Sequence, residues 1–152
     1  MLDRITSLIP GDVARGVKCV ALSDDVFADH FPGYPVLPGA LIVEARAQLG
    51  GVLLEATLRG RGRHDLHALL TMIDRTKFRR AVRPGDRLEL EARVETATVD
   101  GGRVKAWARL DGGLAAEAEL GFAFATVTDP ILIARRREHL NVWLFGSVTE
   151  PT

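Results

Sequence analysis

The alternation of apolar and polar residues changes period partway along the chain, and that change predicts its elements. In the C-terminal half, LELEARVETATV at Leu88–Val99 alternates with period two. VKAWARL at Val104–Leu110 and LAAEAELGFAFATV at Leu114–Val127 continue the pattern, separated by the same turn sequence Asp-Gly-Gly at 100–102 and 111–113. Alternating runs joined by such turns predict an antiparallel meander. LHALLTMI at Leu66–Ile73 adds an apolar strand, and Arg83–Asp86 supplies a Pro-Gly turn. Upstream, the Ala-, Leu-, Glu- and Gln-rich stretch Ala40–Leu58 predicts one long helix, preceded by Pro38-Gly39. Only Glu44, Arg46 and Glu55 are charged within it, so apolar residues run nearly all round its first turns and predict a buried helix. VKCVAL at Val17–Leu22 reads as a strand, and Asp129 to about Phe145 as a short helix with an apolar tail. The fold class is therefore α+β: a curved antiparallel sheet wrapped around a central helix. The expected organisation is a single domain over 1–127, with an extension over 128–152 packed on that domain or on a neighbouring subunit.

Between strand and helix lies HFPGYPVLPG at His30–Gly39, with three prolines and two glycines in ten residues. Each proline lacks a donor and restricts its predecessor, so this segment is a stiff loop. RGRGR at Arg59–Arg63 reads as an exposed turn.

Composition narrows the function. The chain has 152 residues, 47% hydrophobic, and twenty Lys plus Arg balance twenty Asp plus Glu. Neutral net charge gives no global reason to expect nucleic acid or an anionic membrane as partner. The chain carries no secretory leader pattern and no apolar span, so a cytoplasmic location is expected. Cys19 is the one cysteine, which excludes an internal disulfide and predicts a small buried hydrophobe.

The chemistry concentrates around the loop and the helix. Glu44 and Gln48 are four apart and share a helix face, while Arg46 points elsewhere. A carboxylate among Leu41, Ile42, Val43, Ala45 and Ala47 has its charged form disfavoured and suits acid catalysis near neutral pH; the alternative is that Glu44 faces solvent. His30 precedes a loop that returns the chain to the helix start. There it serves as a proton-transfer group or, alternatively, caps the loop or packs in the core. A helix N-terminus nearby offers N–H groups to a developing oxyanion.

HFPGYPVLPGALIVEARAQ at His30–Gln48, followed by TKFRRAVRPGDRLELEARV at Thr76–Val94, resembles the 3-hydroxyacyl-[acyl-carrier-protein] dehydratases of the hot-dog fold. The resemblance spans residues 1 to 127. It implies His30 as catalytic base and Glu44 as second catalytic group, acting on a (3R)-3-hydroxyacyl thioester to give the trans-2-enoyl thioester and water. It further implies that the Gly39 amide holds the thioester oxygen and that Gln48 orients Glu44 or a water. Phe31, Tyr34, Val36 and Leu37 line the acyl tunnel or else pack in the core. Glutamate at position 44 favours the dehydratase branch over the branch that also isomerises the double bond. No cofactor and no metal are implied. The implied partners are an acidic acyl carrier protein, docking on the basic residues Arg75, Lys77, Arg79 and Arg80, and a second copy of the chain. Dimers of this kind associate further into trimers of dimers.

Two residues depart from the family pattern. Asp29 stands where Gly usually precedes the histidine, offering a carboxylate that would hold the imidazole or raise its pKa. Arg46 replaces a small or apolar residue. The rival readings are a hot-dog acyl thioesterase and a non-catalytic acyl-binding subunit.

Overall fold

The computed structural model describes residues 1–145 and 148–149. Two strands, β1 (Arg4–Ile9) and β2 (Val13–Cys19), form a hairpin through Pro10-Gly11-Asp12, where Asp12 N–H donates to Ile9 O at 3.1 Å and Gly11 has φ +81°. After the loop come helix α1 (Gly39–Arg59) and strands β3 (Leu66–Phe78), β4 (Arg87–Ala97), β5 (Gly102–Leu110) and β6 (Gly113–Thr126). Helix α2 (Pro130–Trp143) and a two-residue strand β7 (Val148–Thr149) follow. The sheet order is β3-β6-β5-β4-β2-β1-β7, antiparallel except for the β1–β7 pair. The meander, the central helix and the α+β class are those the sequence pattern predicts.

The N-terminal hairpin corrects the expectation of one strand over 17–22. Both of its strands carry polar residues on the outer face, so no continuous apolar run marks them, and VKCVAL straddles the end of β2. That register also overturns the expectation for Cys19, which is exposed. Lys18 turns inward instead and is 7% exposed; its Nζ donates to Cys19 O at 2.9 Å and lies 3.8 Å from an Asp3 carboxylate oxygen.

α1 is enclosed by the sheet, with Leu49, Leu53 and Leu54 fully buried against β4, β5 and β6. Arg46 does point away from Glu44, but into the core. It is fully buried at a level where Ala92, Ala106, Ala108, Ala116 and Ala118 line the sheet. Its Nε donates to Ile42 O at 3.2 Å and its Nη1 to Ala106 O at 3.3 Å, while Nη2 has no hydrogen-bond partner among the described residues. Burial pushes the guanidinium pKa down to about 10, so it is still charged at neutral pH.

α2 begins with the expected signals. Asp129 caps it, accepting from Ile131 N at 2.8 Å, and Pro130 occupies the first position. None of its residues is fully buried; Leu140 and Trp143 pack half-buried against the core.

A buried charge lacking one partner costs more than an apolar chain of similar volume. Replacing Arg46 with Met is therefore expected to raise the unfolding free energy by roughly 1–4 kcal/mol, measured by urea denaturation at fixed protein concentration. A loss of stability would mean that the two carbonyl contacts outweigh the desolvation.

Candidate active site

A short 3-10 turn at Asp25–Ala28 delivers the chain to His30. The loop beyond folds back as a tight turn in which Phe31 and Tyr34 exchange backbone hydrogen bonds at 3.1 and 2.9 Å. Gly33, at φ +72°, takes the left-handed position that a type II turn with Pro32 ahead of it requires. The His30–Phe31 peptide is cis. Val36 then clamps His30 twice: its N–H donates to His30 O at 3.1 Å, and its carbonyl lies 2.7 Å from His30 Nδ1. A carbonyl only accepts, so Nδ1 carries the proton and the neutral ring presents Nε2 as a lone pair. The Asp29 carboxylate makes no hydrogen bond among the described residues, so the backbone of Val36 takes the holding role considered for Asp29.

The loop ends at the start of α1. Leu37 N–H donates to Val82 O at 2.7 Å, and its side chain is buried in the core at 3% exposure. Gly39 is the first helical residue. A Cβ there would meet the tip of the Phe78 ring at 2.6 Å, so glycine lets that ring lie directly against the helix start. The Gly39 N–H makes no hydrogen bond among the described residues, as expected of the first turn of a helix.

One turn further, Glu44 and Gln48 meet as the i, i+4 spacing predicts. Gln48 Nε2 donates to Glu44 Oε1 at 3.1 Å, and Gln48 Oε1 accepts from Leu2 N–H at 2.9 Å. With both ends of the amide engaged, Gln48 holds the carboxylate in one orientation. Both side chains line a cavity of about 430 Å³, closed by Leu70 and Phe122 on the sheet side. His30 is not among its lining residues, so a single chain brings Glu44 and Gln48 together without His30.

Phe31 and Tyr34 are 51% and 56% exposed, and Phe31 stacks on the His30 ring with centroids 4.0 Å apart. Arg83 sits over the Tyr34 ring at 4.7 Å and donates to its hydroxyl. The stretch read as a uniform basic run is partly neutralised. Arg75 pairs with Glu119 at 3.2 Å and Arg79 with Glu117 at 2.5 Å, because β3 runs beside the acidic residues of β6. Lys77 and Arg80 have no carboxylate at ion-pair distance among the described residues; Arg80 donates to Leu110 O at 2.8 Å. Sequence reasoning missed the cavity's contributions from Met1, Leu2, Arg136, His139 and Trp143. Of the remaining lining, only Ala47 and Gly51, at helical spacing from Glu44 and Gln48, offered a signal along the chain.

Comparison with known proteins places this geometry among relatives. The FabA-like domain family matches residues 1–119. The 3-hydroxyacyl-[acyl-carrier-protein] dehydratase FabZ of Bacillus velezensis is 46% identical over 123 residues, covering 81% of this chain and 85% of that protein. The same enzyme of Bacillus subtilis is 43% identical with equal coverage. Among solved structures, the dehydratase heterocomplex ApeI:P from Xenorhabdus doucetiae superposes with a TM-score of 0.67 at 16% identity, covering 89% of this chain and 88% of that one. A hot-dog-like protein from Thermanaerovibrio acidaminovorans gives 0.64 at 16% identity, with 88% and 93% covered. A thioesterase from Haemophilus influenzae gives 0.63 at 15% identity, with 82% and 80% covered. At these identities the structural likenesses establish the hot-dog fold alone.

The Val36 contact has a direct spectroscopic consequence. In ¹⁵N-labelled protein above the imidazole's titration, the His30 resonances are expected to report a protonated Nδ1 and an unprotonated Nε2. The opposite tautomer would mean that the Val36 carbonyl does not hold the ring.

Proposed function

Because the chain belongs to the FabA-like family of 3-hydroxyacyl-[acyl-carrier-protein] dehydratases, we propose that it removes water from (3R)-3-hydroxyacyl thioesters on acyl carrier protein, in fatty-acid or polyketide-type biosynthesis. The observation that carries this reading is that the chain holds each of the two groups in a fixed orientation, though apart: His30 with Nε2 free, and Glu44 bound by Gln48 in a cavity. His30 Nε2 takes the C2 proton. The C2–H electrons form the new double bond to C3 as the C3–O bond breaks, and Glu44, directly or through a water, gives the departing hydroxyl its proton. The products are the trans-2-enoyl thioester and water. The free Gly39 N–H, at the positive end of α1, stabilises the thioester oxygen as negative charge develops on it.

The site is completed by a second copy of the chain. β3 is an edge strand whose Leu69, Met72 and Ile73 are 52%, 41% and 52% exposed, next to the exposed ring of Phe78. A long apolar edge of this kind calls for a covering strand. A twofold partner laid on it brings the partner subunit's His30 towards Glu44, which accounts for a cavity that holds one catalytic group without the other. Three such dimers form the larger assembly. Lys77 and Arg80, with Arg83 beside the exposed Tyr34, provide cations for an acidic carrier protein, and Arg75 and Arg79 flank them with part of their charge neutralised. A cytoplasmic location belongs to this same reading of the reaction and its carrier. Separately, no described helix is long and apolar enough to cross a membrane.

Enoyl formation, followed spectroscopically in both directions, tests the reaction; release of free thiol would mark a thioesterase instead. His30→Ala and Glu44→Gln are each expected to lower turnover by ~10²–10⁴-fold with the dimer intact. Mixed and re-associated, the two variants should recover about a quarter of wild-type activity, since half the dimers then contain one complete site of two. No recovery would place both groups in one chain. Ile73→Lys is expected to yield a folded, inactive monomer by size-exclusion chromatography. An active monomer would remove the shared-site reading.

A further inference from the structure

The face of α1 that carries Glu44 and Gln48 continues through Gly51 to Glu55, a stripe at i, i+4, i+7 and i+11. Gly51 lines the cavity beside the two polar residues, and having no side chain it leaves room of about one methyl group before Ala68 and Phe122, which a Cβ would meet at 3.5 and 3.6 Å. At the far end, about 16 Å from Glu44 by helical rise, Glu55 is 3% exposed. Its Oε1 accepts from Ala68 N–H at 2.9 Å and from Arg136 Nη2 of α2 at 3.1 Å; His67 Nδ1 lies 4.0 Å away. A carboxylate buried this deeply needs a cation, and Arg136 supplies it.

That ion pair sets α2 across the cavity. Arg136, His139 and Trp143 share one face of the helix at i, i+3 and i+7. The Arg136 guanidinium lies over the Trp143 ring at 5.7 Å, and His139 stacks on the same ring at 6.0 Å with 17° between planes. All three line the cavity that holds Glu44. Elsewhere α2 is thinly packed, with Ile131, Leu132 and Val142 53–66% exposed. It also lies beyond the residues the family matches, 1–119. Family membership therefore assigns it no role.

We propose that α2 is the end wall of the acyl pocket and limits the length of acyl chain the enzyme accepts, with Trp143 and His139 as specificity-determining residues and Arg136 as the residue that positions them. This rests on the dehydratase reading above. An acyl chain whose reacting carbons lie at Glu44 runs into the same cavity, between Leu70 and Phe122 of the sheet and α2, and meets the Trp143 ring there. A longer chain is accommodated only by displacing α2, which breaks the buried Arg136–Glu55 pair.

The test compares kcat/KM for hydration of carrier-bound crotonyl, decenoyl and hexadecenoyl thioesters in the full chain and in a full-length His139→Ala/Trp143→Ala variant that keeps Arg136 and α2 in place. The hexadecenoyl-to-crotonyl ratio is expected to rise roughly tenfold or more in the variant. Arg136→Gln should shift it the same way, and Arg136→Lys should restore it. An unchanged ratio in the double variant overturns the proposal.

A binding measurement reads the wall without turnover. Of the two tryptophans, Trp107 lies in an outer groove of the sheet with Lys105 and Glu117, so Trp107→Phe leaves Trp143 as the sole indole. Its emission is expected to change on adding a decanoyl-pantetheine amide and to stay constant with the acetyl analogue. A response to neither also overturns the proposal. Absence of turnover in the unaltered chain, with the emission change present, would remove the dehydratase reading and keep the wall.

Discussion

Enclosing α1 in the sheet is the constraint on which the rest of the molecule depends. A helix wrapped on most sides has little water available, so each polar group on it needs a partner within the protein or a cavity to face. Glu44 takes Gln48, Gln48 takes the Leu2 N–H, and Glu55 takes Ala68 N–H and Arg136. Thr57 Oγ1 donates back to Leu53 O at 2.7 Å and accepts from Gly11 N–H at 2.8 Å, tying the helix to the N-terminal hairpin. These bonds fasten the two ends of the chain to the helix. They also explain why its polar residues are few and why those present are positioned firmly enough for chemistry.

Glu55 Oε2 and one nitrogen of Arg46 are the exceptions on α1 among the described residues, and Arg46 has no carboxylate partner. It is satisfied at two nitrogens by carbonyls and unsatisfied at the third, in a region where alanines on three strands make room for its length. A charge held there costs stability, in contrast to Glu44, whose cavity gives it a place to act.

Much of the fold could be read along the chain because its signals are local. Asp-Gly-Gly turns, period-two alternation and a Pro-Gly stop each act within a few residues, and they predict β4 to β6, α1 and the stiff loop. The pairing of Glu44 with Gln48 is equally local, one helical turn apart. What escaped was the hairpin β1–β2, whose outer faces are polar, and the direction of individual side chains near strand ends. Cys19, expected inside, is exposed and its neighbour Lys18 is buried, because a strand flips every side chain with a one-residue change of register. Leu37 went to the core and Val36 to a backbone role on His30, because the loop's turns, rather than its composition, set which atoms point inward.

The sequence by itself determined the elements, their order and the residues with the chemistry to act: His30 on a loop stiffened by prolines, Glu44 on a nearly uncharged helix. The tertiary structure alone decided the long-range partners. Arg136 meets Glu55 across 81 positions, Arg79 meets Glu117 across 38, and Leu2 meets Gln48 across 46. The physical reason is the range of the interactions. Backbone preferences and helical or strand periodicity act over one or two turns of chain, so neighbours in sequence report them. Which cation neutralises a buried carboxylate, and which helix closes a cavity, depends on where the sheet curls once every element is packed.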